Sequence, residues 1–189
     1  MTHGFLLQTA GPPGVGKSSL ARGVCAATGA VRLDVDVVKS ALLAAGIAWS
    51  EAGRAAHDVL FALADDLLAA GRAVVVDSPC HYAQIVDRGT MTARRHQAVY
   101  GFVELRADDL GLVQSRLRTR EPLPSQMLDV DVWPAGGSSP AGRRGPHEWH
   151  SHRPADVPVL TLQVEASTAP GELVSRTLAY LEARRAAVR

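Results

Sequence analysis

The feature that most constrains the fold is the glycine-rich stretch GPPGVGKS, which connects an apolar segment to a helical pattern. It satisfies the spacing G-x-x-x-x-G-K-[ST] of a phosphate-binding loop. Glycine permits positive φ and lets backbone N–H groups approach an anion closely, and the following helix adds its positive end. A chain reversal alone would need neither the lysine nor the serine. We therefore interpret the stretch as a nucleoside-triphosphate site.

Each part of this loop has an expected role. Lys17 can reach the terminal phosphates, and the hydroxyl of Ser18 can bind Mg²⁺. The full set that we expect to contact the nucleotide is Gly11, Pro12, Pro13, Gly14, Val15, Gly16, Lys17, Ser18 and Ser19. The expected cofactors are ATP and Mg²⁺, although the sequence does not distinguish ATP from GTP.

Strand and helix patterns alternate along the whole chain. Strands are predicted at 5–10, 31–35, 73–77, 99–105 and 159–165, and helices at 17–28, 37–46, 50–71, 82–98, 108–120 and 170–188. The helix at 82–98 is the weakest of these predictions because Gly89 interrupts it. Such alternation indicates an α/β fold with a mostly parallel sheet and helices on both faces. The chain is expected to form a single domain, 1–189.

The composition of the chain limits which classes of protein are expected. Hydrophobic residues make up 47% and charged residues 21%, and the formal net charge is +1, so a broad nonspecific nucleic-acid surface is not expected. The two cysteines, Cys25 and Cys80, form no CxxC pair, which favours a reducing, cytoplasmic setting. No apolar run approaches the length of about 20 residues that spans a bilayer.

Carboxylates lie at or just after the ends of the second and third strands. Asp77 follows three valines, in the position of a carboxylate that holds Mg²⁺ or its water. Asp34 and Asp36 would face the same side if the extended structure continues that far, and an N-cap is the alternative role for Asp34. We expect Asp36 to act as the general base, and Lys39, one helical turn later, to contact the acceptor.

Two arginines lie near the end of the predicted helix 108–120. Arg116 and Arg120 are spaced i to i+4 and can stabilise the charge of a transferring phosphoryl group. Favourable charge at a helix C-terminus is the alternative role. Arg118 lies on another face, where it could meet the nucleotide base. We interpret about 116–157 as a lid or irregular insertion, because residues 121–158 are rich in proline and glycine.

Other candidates have weaker support. The start of the helix 50–71, with Trp49, Glu51, Arg54 and His57, is expected to form a wall of the acceptor site, and Arg54 is the candidate for substrate contact. In the irregular segment, His147, His150 and His152 do not have the HExxH spacing, and Trp133 and Trp149 could stack on a flat substrate or pack onto the body.

Taken together, GPPGVGKSS, DVDVVK, VVVDSP and RLRTR resemble, in order and spacing, the P-loop small-molecule and polynucleotide kinases. Within this AAA-related group they are similar to the polynucleotide 5′-hydroxyl kinase, zeta-toxin-like and chloramphenicol-phosphotransferase-like kinases. The resemblance implies a three-layer P-loop NTPase fold with sheet order 2-3-1-4-5. It also implies Asp36 as base, Lys39 in place of the arginine of an Asp-x-x-Arg motif, and Arg116 and Arg120 as lid arginines.

The predicted function is transfer of the γ-phosphate of ATP to a hydroxyl of a small-molecule or nucleoside-like acceptor. A polynucleotide acceptor is possible but not favoured, because Lys39 loses the bidentate phosphate recognition of arginine and the chain is not basic. A nucleotide-binding ATPase or switch module that acts on a protein partner is the alternative from another class. No membrane association is expected, and the acceptor and the oligomeric state are left open.

Overall fold

The structure, a computed structural model, describes residues 4–129 and 151–187. Its strands are β1 (Phe5–Ala10), β2 (Val31–Asp34), β3 (Val74–Asp77), β4 (Val99–Arg106) and β5 (Val159–Gln163). Its helices are α1 (Lys17–Thr28), α2 (Val35–Ala44), α3 (Trp49–Ala69), α4 (Ala83–Arg95), α5 (Leu110–Thr119) and α6 (Pro170–Ala187). The alternation predicted from the sequence is confirmed.

The five strands form one parallel sheet of order β2-β3-β1-β4-β5, as the resemblance implied. The burial of β1 and β3 explains why helices cover the sheet on both faces. Every residue of β1 and of β3 is buried, and strands buried along their whole length are typical of parallel sheets between two helical layers.

Two hydrophobic clusters fill the space between the sheet and its helices. On one face, Leu60, Phe61 and Ala64 of α3 and Ile85 of α4 pack against the strands. On the other face, Leu20 and Val24 of α1 and Leu173 and Leu181 of α6 do the same. The fold is therefore the expected three-layer arrangement.

The structure corrects the start of one predicted helix and confirms the predicted helix that contains Gly89. Helix α2 begins at Val35 rather than at residue 37, because Asp34 ends its strand and accepts a hydrogen bond from the Asp36 N–H (2.9 Å) as the N-cap. The extended structure that would have placed Asp34 and Asp36 on one face is absent. Helix α4 continues through Gly89, where the lack of a side chain makes room for Gln8 of β1.

The irregular segment is described only at its two ends. Neither 121–129 nor 151–158 belongs to one of the helices or strands given above, and at the second end the N–H of His152 donates to the carbonyl of Cys80 (3.0 Å). His147, His150, Trp133 and Trp149 lie outside the described residues, so the ideas about them and the predicted lid stay predictions. None of the described helices has the length and apolar character that crossing a membrane requires.

Candidate active site

The site lies at one edge of the sheet, beyond the carboxyl ends of its central strands. Because β2 and β3 pair in register with Asp34 opposite Asp77, both carboxylates come to the edge where β1 enters the glycine-rich loop. A cleft of about 1370 Å³ opens there. Parallel α/β sheets bind their ligands at this edge.

The predicted nucleotide loop borders this cleft. The lining includes Pro13, Gly14, Val15, Gly16, Lys17, Ser18 and Ser19, whereas Gly11 and Pro12 do not line it. Glycine is required at two positions in particular: Gly11 has φ +128°, with the carbonyl oxygen of Leu105 only 2.3 Å from where a Cβ would stand, and Gly14 has φ +78°, with that of Val113 at 2.8 Å. The loop therefore holds its shape only without side chains at these positions.

Lys17 is hydrogen-bonded to the backbone of its own loop. Its ammonium donates to the carbonyl of Gly11 (2.9 Å) and to that of Pro12 (2.7 Å). An ammonium has three N–H groups, so one donor is left for a phosphate oxygen. Burial lowers the pKa of Lys17, and the negative charges of Asp77 and Asp36 act against that effect. A bound phosphate would supply further negative charge where this lysine needs it.

Ser18 and Asp77 form the candidate metal site. Burial raises the pKa of Asp77, and a hydrogen bond from the Ser18 side chain is among the interactions that lower it. Both residues line the cleft beside Lys17. A hydroxyl beside a carboxylate matches the oxygen ligands that Mg²⁺ prefers, so these residues fit the ion. Within 4–129 and 151–187, no group of three or more His, Cys, Asp and Glu side chains is placed to hold a metal.

Arg32 is a residue of the site that our sequence analysis missed. Its guanidinium bridges the two strand-end carboxylates, Asp34 at 3.0 Å and Asp77 at 3.2 Å. The bridge offsets part of the repulsion between two carboxylates on neighbouring strands. The alternation of β2 could have revealed it, since Arg32 stands two residues before Asp34 and so shares its face.

Asp36, the predicted base, lies in the first turn of α2 and lines the same cleft as Lys17. Burial raises its pKa, and a hydrogen bond from Gln126 lowers it; Asp34 raises it further, whereas Lys17 and Arg120 lower it. The Gln126 amide donates to its carboxylate at 2.9 Å. Sequence reasoning missed Gln126, because no local pattern within the irregular segment points to residue 36.

The two predicted arginines have different hydrogen-bond partners. Arg116 and Arg120 both line the cleft. Arg116 makes a long contact with the carbonyl of Val15 (3.5 Å), and Arg120 donates to the carbonyl of Met127 (2.7 Å). The buried Nε of Arg120 has no hydrogen-bond partner among the described residues. Arg118 does not line the cleft.

The first turns of α3 also line the cleft, with Trp49, Arg54 and His57 but not Glu51. The ammonium of Lys39 lies 3.6 Å from the centre of the Trp49 ring, so that ring is covered by a cation of the protein itself. Arg54 lines the cleft with 80% of its side chain exposed, 3.7 Å from Asp58. Nε2 of His57 and the Ser78 hydroxyl form a hydrogen bond of 3.1 Å.

A parallel sheet of this order, with a phosphate-binding loop after β1 and a serine–aspartate pair beside it, defines the class as a P-loop NTPase fold. Residues 6–131 match the sequence model of a protein family described as an AAA domain, and the chain belongs to that family. A search of curated proteins finds no match.

Solved structures share the fold at low sequence identity. A candidate kinase from Chloroflexus aurantiacus J-10-fl superposes with a TM-score of 0.71 at 16% identity, covering 95% of this chain and 98% of that one. The APS kinase of Mycobacterium tuberculosis, in complex with AMPPNP and APS, gives 0.65 at 20% identity, with 96% and 99% covered. A gluconokinase from Sinorhizobium meliloti 1021 gives 0.59 at 18% identity, with 96% and 93% covered. The fold is therefore that of P-loop kinases.

Proposed function

We propose that this protein is an ATP- and Mg²⁺-dependent phosphotransferase that moves the γ-phosphate to a hydroxyl of a small-molecule or nucleoside-like acceptor. One observation carries the proposal: the loop lysine and the candidate base line one cleft, close enough for the charge of Asp36 to affect the pKa of Lys17. Phosphoryl transfer needs this arrangement, with an anion site on one side and a hydroxyl-activating carboxylate facing it.

On the nucleotide side, the loop amides and Lys17 hold the β- and γ-phosphates. Arg116 and Arg120 neutralise the charge that develops on the transferring group. The Nε–H of Arg120, which has no partner in the part of the chain that the structure describes, is a donor that a phosphate oxygen can satisfy. The Ser18 hydroxyl and the Asp77 carboxylate would hold Mg²⁺. The ion supplies charge neutralisation between the phosphates when it is bound.

On the acceptor side, Asp36 takes the proton of the attacking hydroxyl. The half-buried ammonium of Lys39 and the exposed guanidinium of Arg54 are donors that would bind oxygen atoms or an anionic group of the acceptor. The similarity in fold to an APS kinase and a gluconokinase supports a small acceptor rather than a polymer.

The test is transfer from [γ-³²P]ATP to a panel of sugars, sugar acids and nucleosides, by the wild type and by Asp36→Asn. Because the amide cannot take a proton, we expect about 100-fold or greater loss of transfer, with ATP affinity retained. The matched control is Asp66→Asn, which changes an exposed carboxylate of α3 away from the cleft and should leave transfer unchanged. Near-normal turnover by Asp36→Asn would remove Asp36 from the mechanism.

The same assay separates the other functions. An ATPase or switch module would consume ATP to a similar extent with or without the acceptor panel, whereas a kinase should consume it chiefly when an acceptor is present. A labelled 5′-hydroxyl oligonucleotide in the panel tests the polynucleotide reading directly.

A further inference from the structure

The segment that follows α5 is bound to α2 by hydrogen bonds of Ser125. The N–H of Ser125 donates to the Ser40 hydroxyl (3.1 Å), and that hydroxyl donates to the Ser125 hydroxyl (2.9 Å). The Ser125 hydroxyl in turn donates to the backbone carbonyl of Asp36 (3.0 Å). Both serines are buried, so these bonds are shielded from water and hold residue 126 beside Asp36.

The orientation of the Gln126 side chain is determined by its neighbours. Its Oε1 accepts a hydrogen bond from the N–H of Leu123 (3.2 Å), and its Nε2 lies 2.9 Å from Oδ2 of Asp36. A backbone N–H can only donate and an ionised carboxylate can only accept. Both contacts therefore agree on a single orientation, in which the amide NH₂ faces the carboxylate.

The two oxygens of Asp36 are left in different situations. Oδ2 accepts a hydrogen bond from the Gln126 amide. Within 4–129 and 151–187, Oδ1 has only a long approach of 3.5 Å from the Ser125 hydroxyl, whose proton goes to the backbone carbonyl instead. Oδ1 is therefore the oxygen with lone pairs to spare for the hydroxyl of an acceptor.

We propose that Gln126 is a positioning residue, which holds Asp36 ionised and in one orientation, with Oδ2 occupied and Oδ1 left to receive the proton of the acceptor hydroxyl. The inference rests on the proposed role of Asp36 as the base. Gln126 touches neither nucleotide nor acceptor in this role and acts only through Asp36.

The charges around Asp36 explain why a neutral amide matters there. Burial and the carboxylate of Asp34 raise its pKa, whereas Lys17 and Arg120 lower it, and Lys39 stands one turn further along α2. Lys17 and Arg120 are expected to engage phosphates during the reaction, which leaves them less effective toward Asp36. The Gln126 hydrogen bond does not depend on the nucleotide and favours the charged form at every stage.

The experiment measures the pKa of Asp36 by ¹³C NMR titration of the aspartate side-chain carboxyls in the ligand-free protein, with the Asp36 signal assigned by its loss in Asp36→Asn. Gln126→Met removes the donor but retains the length of the side chain. We expect the titration midpoint of Asp36 to rise by about one pH unit, a tenfold change in its ionisation constant. Gln126→Ala should give the same rise, and it provides a second variant if methionine disturbs the turn.

The control is Gln163→Met, the same substitution at an exposed position of β5, which should leave the Asp36 midpoint unchanged. A general loosening of the fold would move many aspartate signals, whereas loss of this one donor should move chiefly the signal of Asp36. An unchanged midpoint in both Gln126 variants would overturn the inference.

This measurement uses no acceptor, so its outcome is independent of the proposed function. If Asp36→Asn transfers phosphate normally, the base assignment fails and the role given to Gln126 fails with it, whatever the titration shows. If Asp36→Asn is inactive and the midpoint does not move in the Gln126 variants, only the inference about Gln126 fails.

Discussion

Gly89 offers a test of how closely α4 packs against Gln8 of β1. Gln8 lies in the middle of β1, and its buried side chain accepts a hydrogen bond from the Tyr100 hydroxyl (2.5 Å) and donates to the carbonyl of Ile85 (3.1 Å). A Cβ at position 89 would stand 1.8 Å from Oε1 and 2.5 Å from Cδ of Gln8. Gly89→Ala must therefore displace this amide.

The size of the effect follows from these contacts. Two buried hydrogen bonds left unmade cost about 1.5 kcal/mol each. Overpacking adds at least about 1 kcal/mol, and the higher helix propensity of alanine returns about 1 kcal/mol. We expect Gly89→Ala to lower the free energy of unfolding by about 3 kcal/mol.

The assay is urea denaturation followed by far-UV circular dichroism, with Gly53→Ala as the matched control. Gly53 also lies in a helix, but its added Cβ would meet nothing within 4 Å, so this variant should be more stable than wild type by about 0.5–1 kcal/mol.

A loss of less than about 1 kcal/mol in Gly89→Ala would refute the reasoning, because the clash with Gln8 would then cost less than about 2 kcal/mol after the gain of about 1 kcal/mol from helix propensity, which is half of the cost expected from these contacts. The cause is tested by repeating the substitution in a Gln8→Ala background. There the space is already open, and Gly89→Ala should no longer destabilise the protein. A penalty of the same size in both backgrounds would show that the Gln8 side chain is not its source.

The remaining predictions concern the cleft. Lys17→Met should weaken ATP binding at least about tenfold in isothermal titration calorimetry, because it removes the ammonium from the phosphate site; unchanged affinity would contradict the role of the loop. Gly14→Ala should lower the free energy of unfolding by about 2 kcal/mol in urea denaturation and weaken ATP binding, since its Cβ would stand 2.8 Å from the carbonyl of Val113 at φ +78°; wild-type behaviour would show that the loop tolerates a side chain. Burial lowers the pKa of His57 below 6.5, so the unfolded state binds more protons there and the native state loses stability as the pH falls below about 6.5. Thermal melts between pH 7.5 and 5 should show a smaller loss in His57→Gln, and equal losses would contradict this assignment.

Much of the fold could be predicted because the signals that determine it are local. The apolar runs of β1 and β3, the helical periodicity between them and the glycine loop each reflect the neighbours of a residue in the chain. The same local signals placed Lys17, Ser18, Asp36 and Asp77 at the ends of strands or starts of helices, and a parallel sheet brings such positions to one edge.

Only the tertiary structure determines the contacts between segments that are far apart in the chain. Gln126 meets Asp36 across 90 positions, and Arg32 meets Asp77 across 45. Gly89, which looked like a break in a helix, is required by Gln8 on a neighbouring strand. Hydrogen bonding and close packing depend on where side chains meet in space, and periodicity along one segment carries no information about the partner that a different segment provides.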